Sequence, residues 1–211
     1  LISKYIGKPF YEGEKPRMSQ EELQKGKDFV SEHFSFLYQR DGSLTSLDSI
    51  IERLRVSVMR YGIRGVVIDP YNYITKANNM SETDYISDML TRLRVFAQSY
   101  GVHVWFVAHP TKMMRDSSGK VPPPKGYDIS GSSAWFSKSD CGMTIHRPRP
   151  HQDDVTEVII WKMRFNWIGK QGSTELEFNS DTSHYSQHFG KPLVEPKKIK
   201  IPSRNEEDLP F

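Results

Sequence analysis

From Ser19 the apolar residues Leu23, Phe29, Val30 and Phe34 fall at helical spacing, and Ser19 with Glu22 makes a capping-box pattern at the start. This predicts a helix to about His33, weakened by Gly26. Ahead of it, Gly7, Pro9, Gly13 and Pro16 break any regular element. The alternation Phe34-Ser35-Phe36-Leu37-Tyr38 predicts a short strand, ended by a turn at Asp41-Gly42. A second helix opens near Thr45 or Ser46, carries Leu47, Ile50, Ile51, Leu54 and Val58 on one face, and stops at Gly62. Gly65-Val66-Val67-Ile68-Asp69 then reads as a strand buried on both faces of a parallel sheet.

Ser81-x-x-Asp84 starts a third helix through Ile86, Met89, Leu90, Leu93 and Phe96, stopping at Gly101. Val102 to Val107 is a second apolar strand ending in Ala108-His109. Strand, helix, strand in this order predicts an α/β sheet with right-handed crossovers. Residues 110–130 form a long polar loop with Gly119 and Pro122-Pro123-Pro124. A short helix over Ser132–Ser139 follows, then strands at Gly142–Arg147, Val155–Met163 and Thr174–Phe178, the last pairing with 181–186 as a hairpin. Pro192, Pro196, Pro202 and Pro210 mixed with charges predict a disordered tail over 188–211 after one domain spanning 1–187.

Composition narrows the classes. Of 211 residues, 36% are hydrophobic and 26% charged, with no apolar run of membrane-spanning length. Cys141 is the single cysteine, so no internal disulfide forms and a reducing compartment is expected. The net charge of +3 permits a nucleic-acid partner without demanding one. Leu1 opens the chain with neither a signal nor a transit-peptide pattern, so the chain reads as a piece of a longer polypeptide.

Three places carry candidate chemistry. Asp69 puts a carboxylate at the carboxyl edge of a parallel strand, where α/β ligands bind. In P-loop ATPases that position is the Walker B aspartate, which holds Mg²⁺; the same string also serves as a buried strand with a capping aspartate. The matching G-x-x-x-x-G-K-[ST] is absent: Gly7-Lys8, Gly26-Lys27, Gly119-Lys120, Gly169-Lys170 and Gly190-Lys191 are each followed by something other than Ser or Thr. His109 ends the next strand and leads into a loop with Lys112, Arg115, Lys120 and Lys125 against one acid, Asp116. Such a loop suits contact with a nucleic-acid backbone, and equally a solvated surface. Lys162 and Arg164 alternate at a strand end; Arg164 suits a finger on a phosphoryl group, and both also suit an exposed edge strand.

In order and spacing, these strings resemble the motor domain of the DnaB-related replicative ring helicases, most closely the phage primase-helicases and Twinkle. The resemblance is carried by Val66-Val67-Ile68-Asp69, Trp105-Phe106-Val107-Ala108-His109-Pro110, Asp128-Ile129-Ser130-Gly131-Ser132-Ser133-Ala134, Asp140 through Arg147, and Lys162-Met163-Arg164-Phe165, extended by Leu176-Glu177-Phe178-Asn179. It implies a RecA-like fold with a mostly parallel sheet flanked by helices and a terminal β-hairpin. It also implies a ring, usually hexameric, that moves on single-stranded DNA by hydrolysing ATP with Mg²⁺.

By the same resemblance, Asp69 is the Walker B carboxylate and the Mg²⁺ residue, acting through water, and His109 senses the γ-phosphate. Lys112, Arg115, Lys120 and Lys125 lie in the central DNA-binding loop, and Lys76 lies in a second one. Arg164, with Lys162 beside it, reaches the neighbouring subunit's nucleotide, while Arg147 and Phe178 sandwich the adenine. The Walker A loop and the catalytic glutamate of this family are missing and are expected to precede Leu1; Asp69 is followed by Pro70 rather than a second acid. The chain alone is therefore expected to be unable to hydrolyse ATP. Two other readings stay open: a RecA-type DNA-binding ATPase that unwinds nothing, and a non-enzymatic nucleic-acid-binding relative that never had a P-loop. The implied compartment is a bacterial or phage-infected cytoplasm, or an organellar matrix for a Twinkle relative.

Overall fold

The structure, a computed structural model, describes residues 1–38, 45–70, 74–75, 80–117, 119–149 and 154–187. The Asp41-Gly42 turn, Lys76 and the 188–211 tail lie outside the described residues.

The chain opens with a short helix, α1 (Ile2–Ile6), where the sequence predicts none. It packs on α2 (Gln20–His33), which starts at the predicted capping box: Ser19 Oγ accepts from the Glu22 N–H at 3.2 Å, and the Ser19 N–H donates to Glu22 at 2.8 Å. Gly26, expected only to weaken α2, makes room for α1. A Cβ there would sit 2.5 Å from the Ile2 Cγ2 methyl. Tyr5 stacks on Phe29 at 3.8 Å across the same contact.

The strand predicted at 34–38 does not form. The segment is irregular and Phe36 and Tyr38 are exposed, because no strand among the described residues pairs with it. An alternating pattern without a partner ladder has nothing to satisfy its backbone.

β1 (Thr45–Ser46) pairs in parallel with β3 (Ile74–Thr75). Between them run α3 (Leu47–Tyr61) and β2 (Gly65–Ile68), and after them α4 (Glu82–Tyr100) and β4 (His103–Phe106). Both long helices use the same punctuation. Ser46 and Ser81 cap the amino ends through Oγ, and Gly62 and Gly101 close the carboxyl ends with φ of 63° and 62°.

β2 and β4 pair in parallel, Gly65 opposite His103 and Ile68 opposite Phe106, joined by a connection that contains α4. The helices press Leu54, Phe96 and Val102 against Val66, while Ile86 and Met89 of α4 are fully buried with Leu47, Leu93 and Trp135. Only one face of this pair is covered among the described residues: Val67 remains 67% and Trp105 47% exposed. The two-sided burial expected for Gly65–Asp69 is corrected accordingly.

α5 (Ala134–Lys138) is tied to α4 by Lys138 Nζ, which donates to the Ser87 carbonyl at 2.8 Å and the Thr91 hydroxyl at 2.6 Å. The rest is an antiparallel meander of β5 (Cys141–His146), β6 (Val155–Met163), β7 (Gly172–Asn179) and β8 (His184–Gln187). The hairpin expected at the carboxyl end is its outer half. The connections here are shorter than the crossover of about a dozen residues that parallel pairing needs. The amino-terminal segment returns to this edge: Lys15 pairs with Asp181 at 2.7 Å, and Lys4 lies over the Tyr185 ring at 5.6 Å. No described helix is long and apolar enough to cross a membrane.

Candidate functional site

The parallel register of β2 and β4 brings two of the predicted residues to one edge. The Val107 N–H donates to the Ile68 carbonyl at 2.9 Å, so Asp69 follows directly on one strand and His109 lies two residues beyond on the other. Both side chains are exposed at this carboxyl edge. A carboxylate and an imidazole here can meet an anionic ligand, the first through a divalent cation.

His109 is also the neck of the basic loop. Its carbonyl accepts from the Ser130 N–H at 3.3 Å, Pro110 bridges Ile129, and the Thr111 N–H donates to the Asp128 carbonyl at 2.7 Å. The excursion from Thr111 to Asp128 therefore leaves and returns beside the histidine. At its tip Asp116 organises a turn: its carboxylate accepts from the Lys120 N–H at 2.9 Å, and Arg115 donates to the Gly119 carbonyl at 2.7 Å. Lys112, Arg115, Lys120 and Lys125 are all exposed on this loop.

Arg164 and Lys162 lie elsewhere, at the end of β6 against α5. Arg164 Nη1 pairs with Asp140 at 2.9 Å, Nη2 donates to the Ser137 carbonyl at 2.7 Å, and Asp140 also holds Arg94 of α4 at 3.3 Å. The side chain is 27% exposed, so the guanidinium is held but not enclosed. Lys162 donates to the Phe136 and Ser137 carbonyls and lies over the Phe136 ring at 4.9 Å. Burial, and next the Arg164 charge, hold its amine below the usual lysine range.

Arg147 and Phe178 are brought together as well, though against each other: the guanidinium lies 5.7 Å over the ring and pairs with Asp154 at 3.0 Å. A base entering between them has to displace that contact.

Sequence reasoning missed the Asp140 clamp and a stack of three rings. Tyr127 stacks on Phe136 at 4.2 Å, and Phe136 on Trp161 at 5.6 Å. Asp140 was visible as an acid at the mouth of β5, but its partners Arg94 and Arg164 are remote in sequence. The rings come from three separate elements, which no periodicity connects.

Among the described residues no three His, Cys, Asp or Glu side chains converge on a metal position. Asp69 alone fits Mg²⁺, an ion that commonly takes one or two carboxylates and completes its shell with water and phosphate oxygens.

Comparison with known proteins sets this edge in context. Residues 15–114 match the family model of an AAA domain. Over 195 residues, 88% of this chain, the sequence is 37% identical to the Twinkle homologue protein, chloroplastic/mitochondrial, of Arabidopsis thaliana. The chain is a relative of the DnaB-like replicative helicases. It spans 27% of the Arabidopsis protein's length. The helicase relationship extends to the fold. A DnaB-like replicative helicase solved with its interactions with primase superposes with a TM-score of 0.69 at 19% identity, covering 89% of this chain and 47% of that one. A second solved structure, of an isolated ATPase domain, superposes at 0.71 and 18% identity, covering 89% of this chain and 68% of that one. The α/β architecture is thus that of the RecA-like helicase ATPase domain.

Proposed function

We propose that this chain is the carboxyl-terminal part of an ATP-driven helicase motor that moves along single-stranded DNA as a ring, with the phosphate-cradling loop and the catalytic glutamate supplied by sequence before Leu1. The observation that carries the reading is the common edge of Asp69 and His109, with the basic loop hung from the histidine. Bound ATP and Mg²⁺ would supply the reactive phosphoryl group and its charge neutralisation. Asp69 would hold the ion, and His109 would pass the state of the phosphate edge to the loop carrying Lys112, Arg115, Lys120 and Lys125.

Arg164 and Lys162 project from a different part of the molecule, an arrangement that suits contact with a neighbouring subunit's nucleotide rather than with this one's. Arg147 and Phe178 would grip the adenine after their mutual contact opens. Lys76 would add a DNA contact from the segment after β2. The Arabidopsis relative's name makes an organellar setting the favoured compartment.

The test uses the parent protein. Asp69→Asn should abolish Mg²⁺-dependent ATP hydrolysis. His109→Ala should keep nucleotide binding while losing stimulation by single-stranded DNA, with a hydrolysis loss on the order of a hundredfold if the histidine contributes the few kcal/mol typical of one transition-state contact. The 211-residue chain by itself should hydrolyse nothing. Measurable Mg²⁺-dependent hydrolysis by that chain, or full DNA stimulation in His109→Ala, overturns the reading.

A further inference from the structure

We propose that Tyr127 is a stacking platform for a nucleobase of single-stranded DNA, a role that rests on the nucleic-acid reading of the basic loop and adds a base contact to its backbone contacts. The ring stands at the returning end of that loop, directly after Lys125 and Gly126. One side stacks on Phe136 at an interplanar angle of 19°, and the residue is still 66% exposed, so the stack ends in an open aromatic surface.

The surface is fixed before any ligand arrives. Phe136 rests on Trp161, whose Nε1 donates to Thr144 Oγ1 at 3.1 Å, and that hydroxyl donates to the Pro124 carbonyl at 2.5 Å. The backbone under Tyr127 is closed by the Lys125 N–H donating to Asp128 Oδ2 at 2.8 Å and the Asp128 N–H to the Lys125 carbonyl at 2.9 Å. Gly126 is buried between Trp161 and Phe136, where a Cβ would lie 2.6 Å from the indole. A ring held on three sides loses little freedom when a base covers its fourth, which is the condition for efficient stacking.

The electrostatic setting suits a nucleotide. Lys125 precedes the ring, and Lys162 lies over Phe136 in the same stack. Cations beside an aromatic face allow a base to stack while its phosphate finds a counter-charge, the combination that grips single strands irrespective of sequence. An isolated surface tyrosine would offer neither the preset orientation nor the charge.

The experiment measures binding of the full 211-residue chain to a labelled oligothymidylate and to an abasic strand of equal length, at low salt, by fluorescence anisotropy. The wild type should favour the strand with bases, by roughly tenfold from one stacked base. Tyr127→Phe should keep that preference. Tyr127→Ala should lose it while binding the abasic strand as the wild type does and melting at a similar temperature. Equal wild-type affinity for the two strands, or an undiminished preference in Tyr127→Ala, overturns the platform and leaves the loop as a backbone contact. Equal losses on both strands with a lowered melting temperature overturn it in favour of a packing role. Failure of the wild type to bind either strand overturns the nucleic-acid reading itself, and the platform with it.

Discussion

Asp140 decides where Arg164 points. A guanidinium on a strand end has many rotamers, and the carboxylate selects one by pairing at 2.9 Å while sharing Arg94 at 3.3 Å. The network is partly exposed, so its contribution is modest. Asp140→Asn should lower stability by roughly 0.5–1 kcal/mol at low ionic strength. Because the wild type's increment is ionic, it should shrink in high salt while the variant's stability changes less. Chemical denaturation at two salt concentrations measures both, and equal salt sensitivity of the two proteins would contradict the assignment. Glu22 makes a second residue-scale case. The Lys8 side chain, and next the Ser19 N–H, hold its carboxyl below the usual glutamate range. A folded-state value below the unfolded one means the carboxylate stabilises above the ordinary glutamate pKa, and this is lost as pH falls through the folded value. Glu22→Gln should remove that part of the acid sensitivity, seen as a smaller decline in the melting temperature on acidification.

Elements were read from the sequence where one local device settles them. Ser19/Glu22, Ser46 with Gly62 and Ser81 with Gly101 fix three helices through their own caps, and β2 and β4 follow from short apolar runs between them. What depends on distant partners was hidden. The 34–38 alternation promised a strand, but a strand exists only where another pairs with it; α1 appears because Gly26 offers a notch that only the folded pair reveals. The site divides the same way: Asp69 and His109 were legible from strand ends, whereas the pairing of Arg164 with Asp140 and the three-ring stack were not. The fixity of that stack can be tested through β5. A Cβ on Gly142 would lie 2.1 Å from the Trp161 ring, which Thr144 and Phe136 keep from moving. Gly142→Ala should therefore destabilise by about 1–3 kcal/mol, the usual cost of overpacking, despite alanine's lower backbone entropy. Equilibrium urea unfolding with Trp fluorescence measures it, and a neutral result would show that the indole yields.

At the scale of the molecule, the layers are unequal. α3 and α4 cover one side of the β2–β4 pair, while the other presents Val67 and Trp105 to solvent among the described residues. Contiguous apolar surface of this kind draws partners or copies of itself. The 211-residue chain in isolation should bind a hydrophobic dye and self-associate as its concentration rises, and Trp105→Arg should reduce both several-fold. A chain that stays monomeric and dye-free at high concentration would show that this surface is covered.

The pinned neck of the basic loop has a consequence for how such a protein can diverge. With Thr111 fastened to Asp128 and His109 to Ser130 by backbone hydrogen bonds, the sheet edge does not register how long the excursion between them is. Doubling such a span adds only about 0.6 kcal/mol of closure entropy. The reach and charge of the tip near Asp116 can thus be re-tailored to a new strand by insertion alone, while the histidine at its root keeps its station.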